Sequence, residues 1–450
     1  MSHRSRLSTT ATMLALVASA ALAPHAHASG FQLREQSASG LGNAFAGASA
    51  GALDISSMYW NPAVIGQYDG MRAVFGGSYI GLTMELSGAS ATRANNFQPS
   101  QRTISGPSSM PNAVSNPLLP SLYLSYSATP DLKLGMTVNV PFGLATSYGP
   151  EFVGRYHALK TDLKIIDISP SIAYRVMPEF TVGAAFVARK TDATLSNAID
   201  FGAVGAARGV PGSVPGGADG QATLTGNLWS YGFKAGFTLQ PVENFRLGVG
   251  YQGSMTLKVE GKVAYDNVPT LFQSVFFNGG GKADLPLPDT LSGGFVWDIS
   301  KEFSLSGEAA RTGWAKFKEL RVRFDSGAPD SVVPENWVDT WFFSLGVDWK
   351  VNTDWTVRMG LASDKTPTAD AYRTPRIPDG DRTWISIGAS YSMSKKTSVD
   401  FAFTRIMAKD SSLNLTTGTV ATGDNFFRGN LNGSYKIGAN IFAVQVRHVF

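Results

Sequence analysis

Few residues in this sequence could carry out covalent or metal chemistry. Cysteine is absent, and of the five histidines only His157 and His448 lie beyond residue 28. A Ser-His-acid hydrolase would have to use one of these two rings, yet His157 stands in a predicted loop and His448 two residues from the end. Thiolate metal sites are excluded, and the loop "PDGDR" (378–382) could bind a hard cation only weakly. The sequence therefore indicates no cofactor and no enzyme.

Two arginines could instead bind an anionic ligand. Arg189 and Arg358 each stand on the polar side of an alternating segment, opposite apolar neighbours such as Phe186 in the first case. A buried guanidinium is a suitable partner for the carboxylate of a ligand. The simpler role for each arginine is an internal ion pair with an acid on the same side, such as Glu308 or Asp400. The residues alone leave both roles open.

The elements that position these arginines are predicted to be strands, because apolar and polar residues alternate along most of the chain. Short polar turns separate alternating runs, as in "RVMPEFTVGA" (175–184) and "KVNTDWTVRM" (350–359). Six such turns and seven long loops predict fourteen strands. Short turns at one end and long loops at the other are typical of outer-membrane β-barrels. The long loops are predicted at residues 88–117, 146–162, 194–225, 261–284, 318–335, 366–381 and 410–431.

The segment 245–260 shows this alternation over its whole length. Its odd-numbered positions are apolar or glycine, and its even-numbered positions are charged, polar or glycine. We predict one continuous strand with its odd positions facing lipid, longer than the 9–11 residues that a membrane crossing needs. A half-buried strand of a soluble sandwich is the alternative interpretation.

The first 28 residues have the features of a secretory signal: a basic start, an apolar core from Met13 to Ala23, and the small-x-small sequence "AHA" directly before residue 29. Removing the two arginines of this segment from the 38 basic residues leaves 36 against 34 acidic ones. This near-neutral balance disfavours a nucleic-acid partner. We predict export to the bacterial outer membrane.

Residues 29–70 have no place among the predicted strands, which begin near Met71 and end with a strand from about Gly433 to Phe450. They are too apolar for a solvated tail. Because side chains alone do not fill the lumen of so large a barrel, we predict an N-terminal hatch at residues 29–70 inside a barrel formed by residues 71–450. The terminal Phe450 resembles the signal that the outer-membrane assembly machinery reads.

The motifs of this chain resemble those of one family. "GFQL" (30–33) and "SGLGNAFAG" (39–47), followed by Asn61-Pro62-Ala63, resemble the N-terminal hatch of the long-chain fatty acid transporter (FadL) family, which includes toluene-type hydrocarbon channels. The resemblance extends in order over essentially the whole mature chain. It continues at "FGLAT" (142–146), "LPD" (287–289), "GW" (313–314) and "RIPDGDRTW" (376–384).

The resemblance implies a fourteen-stranded barrel, plugged by a hatch, that takes up hydrophobic molecules. It implies that ligands pass from an internal pocket sideways through a kink in the third strand, predicted here from Leu132 to Thr146. Pro141 and Gly143 support an irregularity at that place, because proline removes a ladder donor and glycine often marks a bulge. A strand that simply ends at Pro141 is the alternative. The resemblance also puts Phe31 near the ligand, as a gate or as an anchor of the hatch, and Phe142 and Gly143 are further candidates for the ligand or gate site.

The substrate stays open between fatty acids and hydrocarbons. Trp337 and Val338 stand where fatty-acid-transporting members tend to carry a lysine, which favours a ligand without a head group. A general water-filled porin and a surface adhesin or structural barrel are the competing functions; the apolar hatch disfavours the porin. The expected partners are a hydrophobic small molecule, outer-membrane lipid and lipopolysaccharide, and the expected state is a monomer.

Overall fold

The structure, a computed structural model, describes residues 30–418 and 425–450. The predicted signal segment, residues 1–28, lies outside this part of the chain. Strands dominate the described residues, together with two short helices, α1 (Ala38–Gly42) and α2 (Phe201–Ala207). The strand segments are β1 (Met71–Thr92), β2 (Thr103–Ile104), β3 (Leu118–Ser127), β4 (Leu132–Ser147), β5 (Lys160–Met177), β6 (Phe180–Asp200), β7 (Asp219–Val242), β8 (Phe245–Gln252), β9 (Met255–Asp266), β10 (Gly279–Leu287), β11 (Thr290–Asp298), β12 (Phe303–Thr312), β13 (Glu319–Phe324), β14 (Ser331–Pro334), β15 (Thr340–Lys350), β16 (Trp355–Asp364), β17 (Arg382–Ser392), β18 (Thr397–Ala408), β19 (Ser411–Leu415) and β20 (Asn430–Val449).

These segments form one closed antiparallel barrel, because β20 pairs with both β18 and β1. Five wall strands consist of two segments each: β8 with β9, β10 with β11, β12 with β13, β14 with β15, and β18 with β19. The short β2 pairs with the loop end of β1 and lies outside the wall. The described residues therefore form fourteen wall strands, which confirms the predicted all-β fold and its strand number. By this count β4 is the third wall strand.

Most predicted strand ends are close to the observed ones, but four predicted loops are too long. The wall starts at Met71 as predicted. The loops predicted at 194–225 and 261–284 are in fact 201–218 and 267–278, because β6, β7, β9 and β10 continue on the loop side. The loop predicted at 318–335 contains β13 and β14, and the loop predicted at 410–431 contains β19. None of the described helices is long and apolar enough to cross a membrane.

The prediction of one continuous strand at 245–260 is wrong. Leu247 in β8 points outward and is exposed, whereas Leu257 in β9 is fully buried and Lys258 is exposed. The register of the neighbouring β7 shifts by one residue between its pairs with β8 and with β9, around Gly253. One extra residue in a strand turns every later side chain to the other face, so the odd positions of β9 face the lumen.

Residues 30–68 pack against inward-facing positions of the wall on several sides. The segment consists of α1 and three 3-10 helices, Ala48–Ala50, Ile55–Tyr59 and Pro62–Gln67. Wall glycines admit its backbone: an added Cβ at Gly248 would lie 1.9 Å from Ser49 O, and one at Gly360 would lie 2.1 Å from Asn43 C. Almost all of its residues are buried, which agrees with its apolar composition.

Candidate functional site

The wall is open between the second and third wall strands. The ladder between β3 and β4 ends at the pair Leu122–Val138, and the remaining residues of β3 pair only with β1. On its other side β4 pairs with β5 to the loop end, but the four residues from Asn139 to Phe142 lie opposite only three residues of β5, Ile165 to Asp167. This is a β-bulge, and bulges bend the strand that carries the extra residue. The third wall strand, β4, is therefore irregular at Pro141, and there it separates from β3 while it stays paired with β5.

The N-terminal segment takes the place of the missing neighbour. Gly143 N donates a hydrogen bond to Phe31 O at 3.1 Å, and Leu33 N donates to Pro141 O at 2.9 Å. The side chain of Gln36 adds a bond from Nε2 to Val140 O at 3.0 Å. Because buried backbone groups must be paired, these bonds stabilise the bent part of β4. The shape of the opening is thereby tied to the position of the segment.

Four aromatic rings meet at this junction. The Phe31 ring centroid lies 5.7 Å from that of Phe142, 5.0 Å from Trp314 and 5.8 Å from Trp337. The two tryptophans are edge-to-face at 4.8 Å. Such tilted and edge-on arrangements are the favoured aromatic geometries. All four rings are buried, so they form a packed apolar cluster behind the opening.

An apolar cavity of about 540 Å³ lies between this aromatic cluster and the open wall. Its inner side includes Phe31 and Phe142, and its outer side includes Leu118 and Ile166. The side chains of Leu118 and Ile166 are 68% and 43% exposed on the outer surface. Residues exposed to the membrane and residues buried in the barrel therefore line one continuous space, large enough for a small ligand.

Charged residues line the cavity in two places: Glu35, Asp379 and Arg382 on its buried side, and Asp162 with the exposed Lys164 on β5. Asp379 accepts hydrogen bonds from Gly30 N at 2.8 Å and from Arg382 at 3.0 Å. Burial raises the pKa of Asp379, which lies in the loop before β17. Glu35 also lines the cavity, and its Oε2 has no hydrogen-bond partner among the described residues. Arg382 is therefore already paired with Asp379, whereas Oε2 of Glu35 accepts no hydrogen bond from the described residues.

Arg189 and Arg358 face the lumen as their parity predicts, but neither lines the cavity. Arg189 forms a bidentate pair with Asp167 on the neighbouring strand, with both bonds at 2.7 Å, and its guanidinium lies 5.1 Å from the ring centroid of Phe142. Arg358 pairs with Asp348 at 3.2 Å and lies 3.7 Å from Asp400. Both arginines therefore have the internal partners that the sequence left as an alternative.

Arg189→Met is expected to destabilise the barrel by about 3–5 kcal/mol, because it leaves the buried Asp167 without its counter-charge. Thermal unfolding of the purified protein, followed by heat-modifiable gel mobility, measures this. The double variant Arg189→Met with Asp167→Leu is expected to regain most of the loss. Weaker ligand binding by the single variant at unchanged stability would contradict a structural role.

The motif Asn61-Pro62-Ala63 holds the N-terminal segment against the wall. Asn61 caps the 3-10 helix that follows, accepting from Ala63 N at 3.0 Å, and donates to Ser49 O and Phe237 O. An added Cβ at Gly183 would meet Ala63 N at 2.3 Å. The motif lies away from the cavity, so its contribution is to position the segment.

Sequence reasoning missed part of this site. It assigned no role to Trp314 or Ile377, and it treated Trp337 only as a replacement for a lysine. "GW" and "RIPDGDRTW" were found as motifs, but they lie in loops far from residue 31 in sequence. Only the closed barrel brings these loops over the cavity.

His157 and His448 both form contacts between segments of the barrel. His157 is buried, and its Nε2 lies 3.0 Å from Gly429 O, which joins the loop after β4 to the start of β20. His448 Nδ1 lies 3.0 Å from Thr397 Oγ1 at the short-turn end of the wall. Desolvation lowers the pKa of His157 to about 3.

Acidification is expected to loosen this loop contact. Because the unfolded His157 binds a proton near pH 6.5 and the folded one only near pH 3, its contribution to stability falls as the pH drops through this window, by about 1.4 kcal/mol for each unit of pKa difference. Thermal unfolding at pH 7.5 and pH 4.5 should show a loss that is smaller in His157→Asn. An equal loss in both proteins would contradict the assignment.

Comparisons with known proteins agree with this geometry. A family model described as outer membrane protein transport protein (OMPP1/FadL/TodX) matches residues 19–450. The long-chain fatty acid transport protein of Salmonella typhi is 29% identical over 406 residues, covering 85% of this chain and 88% of that protein. A 47 kDa outer membrane protein of Pasteurella multocida is 29% identical over 462 residues, covering 98% of each.

Two solved structures share the fold. A Pseudomonas aeruginosa FadL homologue superposes with a TM-score of 0.84 at 23% identity, covering 94% of this chain and 100% of the other. The Pseudomonas putida toluene transporter TodX superposes with a TM-score of 0.67 at 17% identity, covering 92% and 98%.

The closed barrel, its occupied interior and the opening in its wall define an outer-membrane transport protein. The family match over nearly the whole chain makes the assignment specific: this chain belongs to the OMPP1/FadL/TodX family of outer membrane transport proteins.

Proposed function

We propose that this protein is an uptake channel for hydrophobic compounds that releases its ligand sideways into the membrane. The observation that carries the proposal is the continuous apolar cavity from Phe31 inside the barrel to Leu118 on its outer surface. Its lining is predominantly apolar, as in sites for apolar ligands. The protein acts as a transporter and not as an enzyme.

Lateral release is favoured because a path through the lumen would expose the apolar ligand to water. A path straight through the lumen is obstructed by residues 30–68, which pack against inward-facing wall residues, both apolar ones such as Phe342 and polar ones such as Glu308. Every methylene group kept out of water preserves about 0.8 kcal/mol. The opening beside Pro141 and Gly143 leads directly toward hydrocarbon, so a ligand that leaves there stays in apolar surroundings throughout.

The proposed hatch, residues 29–70, closes the lumen and shapes the exit. Its first residues pair with the bent third wall strand, so a shift of Phe31 would change both the aromatic cluster and the opening. We propose that Phe31 and Phe142 contact the ligand and that Pro141 and Gly143 keep the exit open. Asn61, Pro62 and Ala63 anchor the hatch, and residues 71–450 form the barrel around it.

The substrate class is long-chain fatty acids or aromatic and aliphatic hydrocarbons. The Salmonella typhi relative is named for long-chain fatty acids, and the Pseudomonas putida structure for toluene. In this chain Arg382 is paired with Asp379, and Arg189 and Arg358 have internal acid partners. Lys164, which also lines the cavity, is held only by Asp162 at 3.5 Å and can meet a carboxylate, so both substrate classes remain in the proposal.

Growth of a deletion strain tests the proposal. Loss of growth on aromatic hydrocarbons, restored by the gene, supports hydrocarbon uptake, and loss on long-chain fatty acids supports fatty-acid uptake. Normal growth on both contradicts the transport function. In liposome swelling, rapid permeation of small sugars through the purified protein would favour a general porin instead.

The remaining partners follow from the location. The C-terminal Phe450 is 61% exposed beside the first wall strand, and its amide donates to Met71 O at 3.0 Å. We propose that it presents the signal for the outer-membrane assembly machinery. We also propose that the protein works as a monomer, in contact with lipid and lipopolysaccharide.

A further inference from the structure

A buried carboxyl group lines the apolar cavity without a partner from the chain. Glu35 belongs to the N-terminal segment and is only 5% exposed. It lines the cavity, and its Oε2 accepts no hydrogen bond from any described residue. Among the described residues, no basic group lies within salt-bridge distance of Glu35, although the charge of Arg382 acts on it. Because buried polar groups are nearly always paired, this carboxyl group calls for a hydrogen-bond donor.

The backbone around Glu35 is held against three wall strands. Ser78 Oγ on β1 donates to Glu35 O at 3.1 Å, and Tyr123 OH on β3 donates to Gln36 O at 2.7 Å. Gln36 Nε2 donates to Val140 O on β4 at 3.0 Å. The last torsion of a glutamate side chain is soft. Either carboxyl oxygen can therefore turn toward the cavity while the backbone of the segment stays in place.

The buried side of the cavity suits a neutral donor better than an anion. Two of its charged residues are acids, Glu35 and Asp379, and the third, Arg382, is paired with Asp379 at 3.0 Å. A ligand carboxylate would bring a further acidic group to this place and would offer Glu35 no donor. Most of the remaining buried lining is apolar, with side chains such as Ile80 and Ile406. The lining thus combines an apolar surface with one unpaired acceptor.

We propose that Glu35 accepts a hydrogen bond from a hydroxyl group of the ligand, so that the cavity prefers apolar compounds with one hydroxyl group, such as long-chain alcohols and phenols. A carboxyl group can accept this bond in either protonation state, and the hydrocarbon body of the ligand packs against the apolar lining. A plain hydrocarbon leaves Glu35 unpaired, and an ionised fatty acid needs the exposed Lys164 instead. The inference rests on the proposed uptake of hydrophobic compounds and adds a specificity to it.

Competition against radiolabelled hexadecane tests the inference, with the purified full-length protein in neutral detergent. The competitors are 1-hexadecanol with its methyl ether and para-cresol with its methyl ether, since each ether keeps the oxygen but has no donor. At least one hydroxyl compound is expected to bind about tenfold or more tightly than its own ether, because only the hydroxyl compound pairs with Glu35. A preference in the first pair assigns alcohols, and one in the second assigns phenols. No preference in either pair would overturn the inference.

Glu35→Leu, which removes the acceptor at similar volume, is expected to bind each hydroxyl compound and its ether equally. Glu335→Leu is the matched control, because Glu335 is also buried with one unpartnered carboxyl oxygen but does not line the cavity. This control should keep the wild-type preference. The measured quantity is a ratio of two affinities, so a general loosening of the cavity does not imitate the effect. A preference that survives in Glu35→Leu, or that the control loses equally, would contradict the role of Glu35.

The inference about Glu35 and the proposed function fail in different ways. If the wild type does not bind hexadecane at all, both are overturned. If it binds hexadecane but no hydroxyl compound more tightly than its ether, only the role of Glu35 is overturned. The comparison of the ligand pairs in the wild type remains decisive even if Glu35→Leu does not fold.

Discussion

Deleting Pro141 is expected to reduce delivery of apolar ligand into the membrane by a large factor, while Pro141→Ala leaves delivery near the wild-type rate. The bulge places Val140 and Pro141 opposite the single residue Ile166 of β5. Removing one residue restores one-to-one pairing without turning any later side chain to the other face. A regular β4 could then continue its ladder with β3 and close the opening.

The expected decrease in the delivery rate depends on the route that remains to the ligand once the opening beside β4 is closed. A ligand that must leave through water instead exposes apolar surface, and three methylene groups cost about 2.4 kcal/mol at roughly 0.8 kcal/mol each. That cost corresponds to about a fifty-fold lower rate. Transfer of a fluorescent alkane derivative into proteoliposomes measures it.

The Pro141→Ala variant separates the bulge from the proline ring, because it keeps the residue count and restores a backbone donor. Wild-type delivery by the deletion variant, with the barrel folded, would exclude the opening beside β4 as the exit. Loss of delivery in both variants would show that the ring, and not the extra residue, keeps the wall open. Ligand binding measured in parallel shows whether the cavity has survived.

The barrel itself could be predicted from the sequence because turns and alternation are features of short stretches of the chain. Turns and alternation gave the strand number, and parity placed Arg189 and Arg358 on the lumen side. Alternation failed in β9, where Met255, Leu257 and Val259 are apolar yet face inward. In β9 the inward face is apolar and the outward face, with Lys258 and Glu260, is polar. The one-residue shift at Gly253 therefore exchanges the two faces without interrupting the alternation in the sequence.

The aromatic cluster could not be predicted from local patterns at all. Phe31, Phe142, Trp314 and Trp337 come from the N-terminus, a wall strand and two interruptions of the wall, and no periodicity links them. Resemblance supplied Phe31, but its contacts depend on how the barrel closes. The same holds for Arg189, whose partner Asp167 is fixed by the register of β5 against β6.

Phe31→Ala is expected to weaken binding of apolar ligands by about tenfold or more, because the ring joins the cavity to the aromatic cluster. Truncation of a buried phenylalanine removes contacts worth about 3–5 kcal/mol, and losing about 1.4 kcal/mol of this from the bound state suffices for a tenfold change. Equilibrium binding of radiolabelled hexadecane and palmitate measures the effect. Phe31→Leu, which keeps most of the volume, serves as the matched variant and is expected to bind more tightly than Phe31→Ala.

The affinity of Phe31→Ala for apolar ligands distinguishes between Phe31 as an anchor of the hatch and Phe31 as part of the gate. As an anchor of the hatch, the ring would stabilise residues 30–33 against β4, and its loss would lower thermal stability while leaving affinity unchanged. As part of the gate, its loss changes affinity even in the folded protein, since the bonds from Gly143 N to Phe31 O and from Leu33 N to Pro141 O use only backbone atoms and survive the substitution. Unchanged affinity in Phe31→Ala would therefore remove this ring from the transport mechanism and leave the wall opening without a gate at this position.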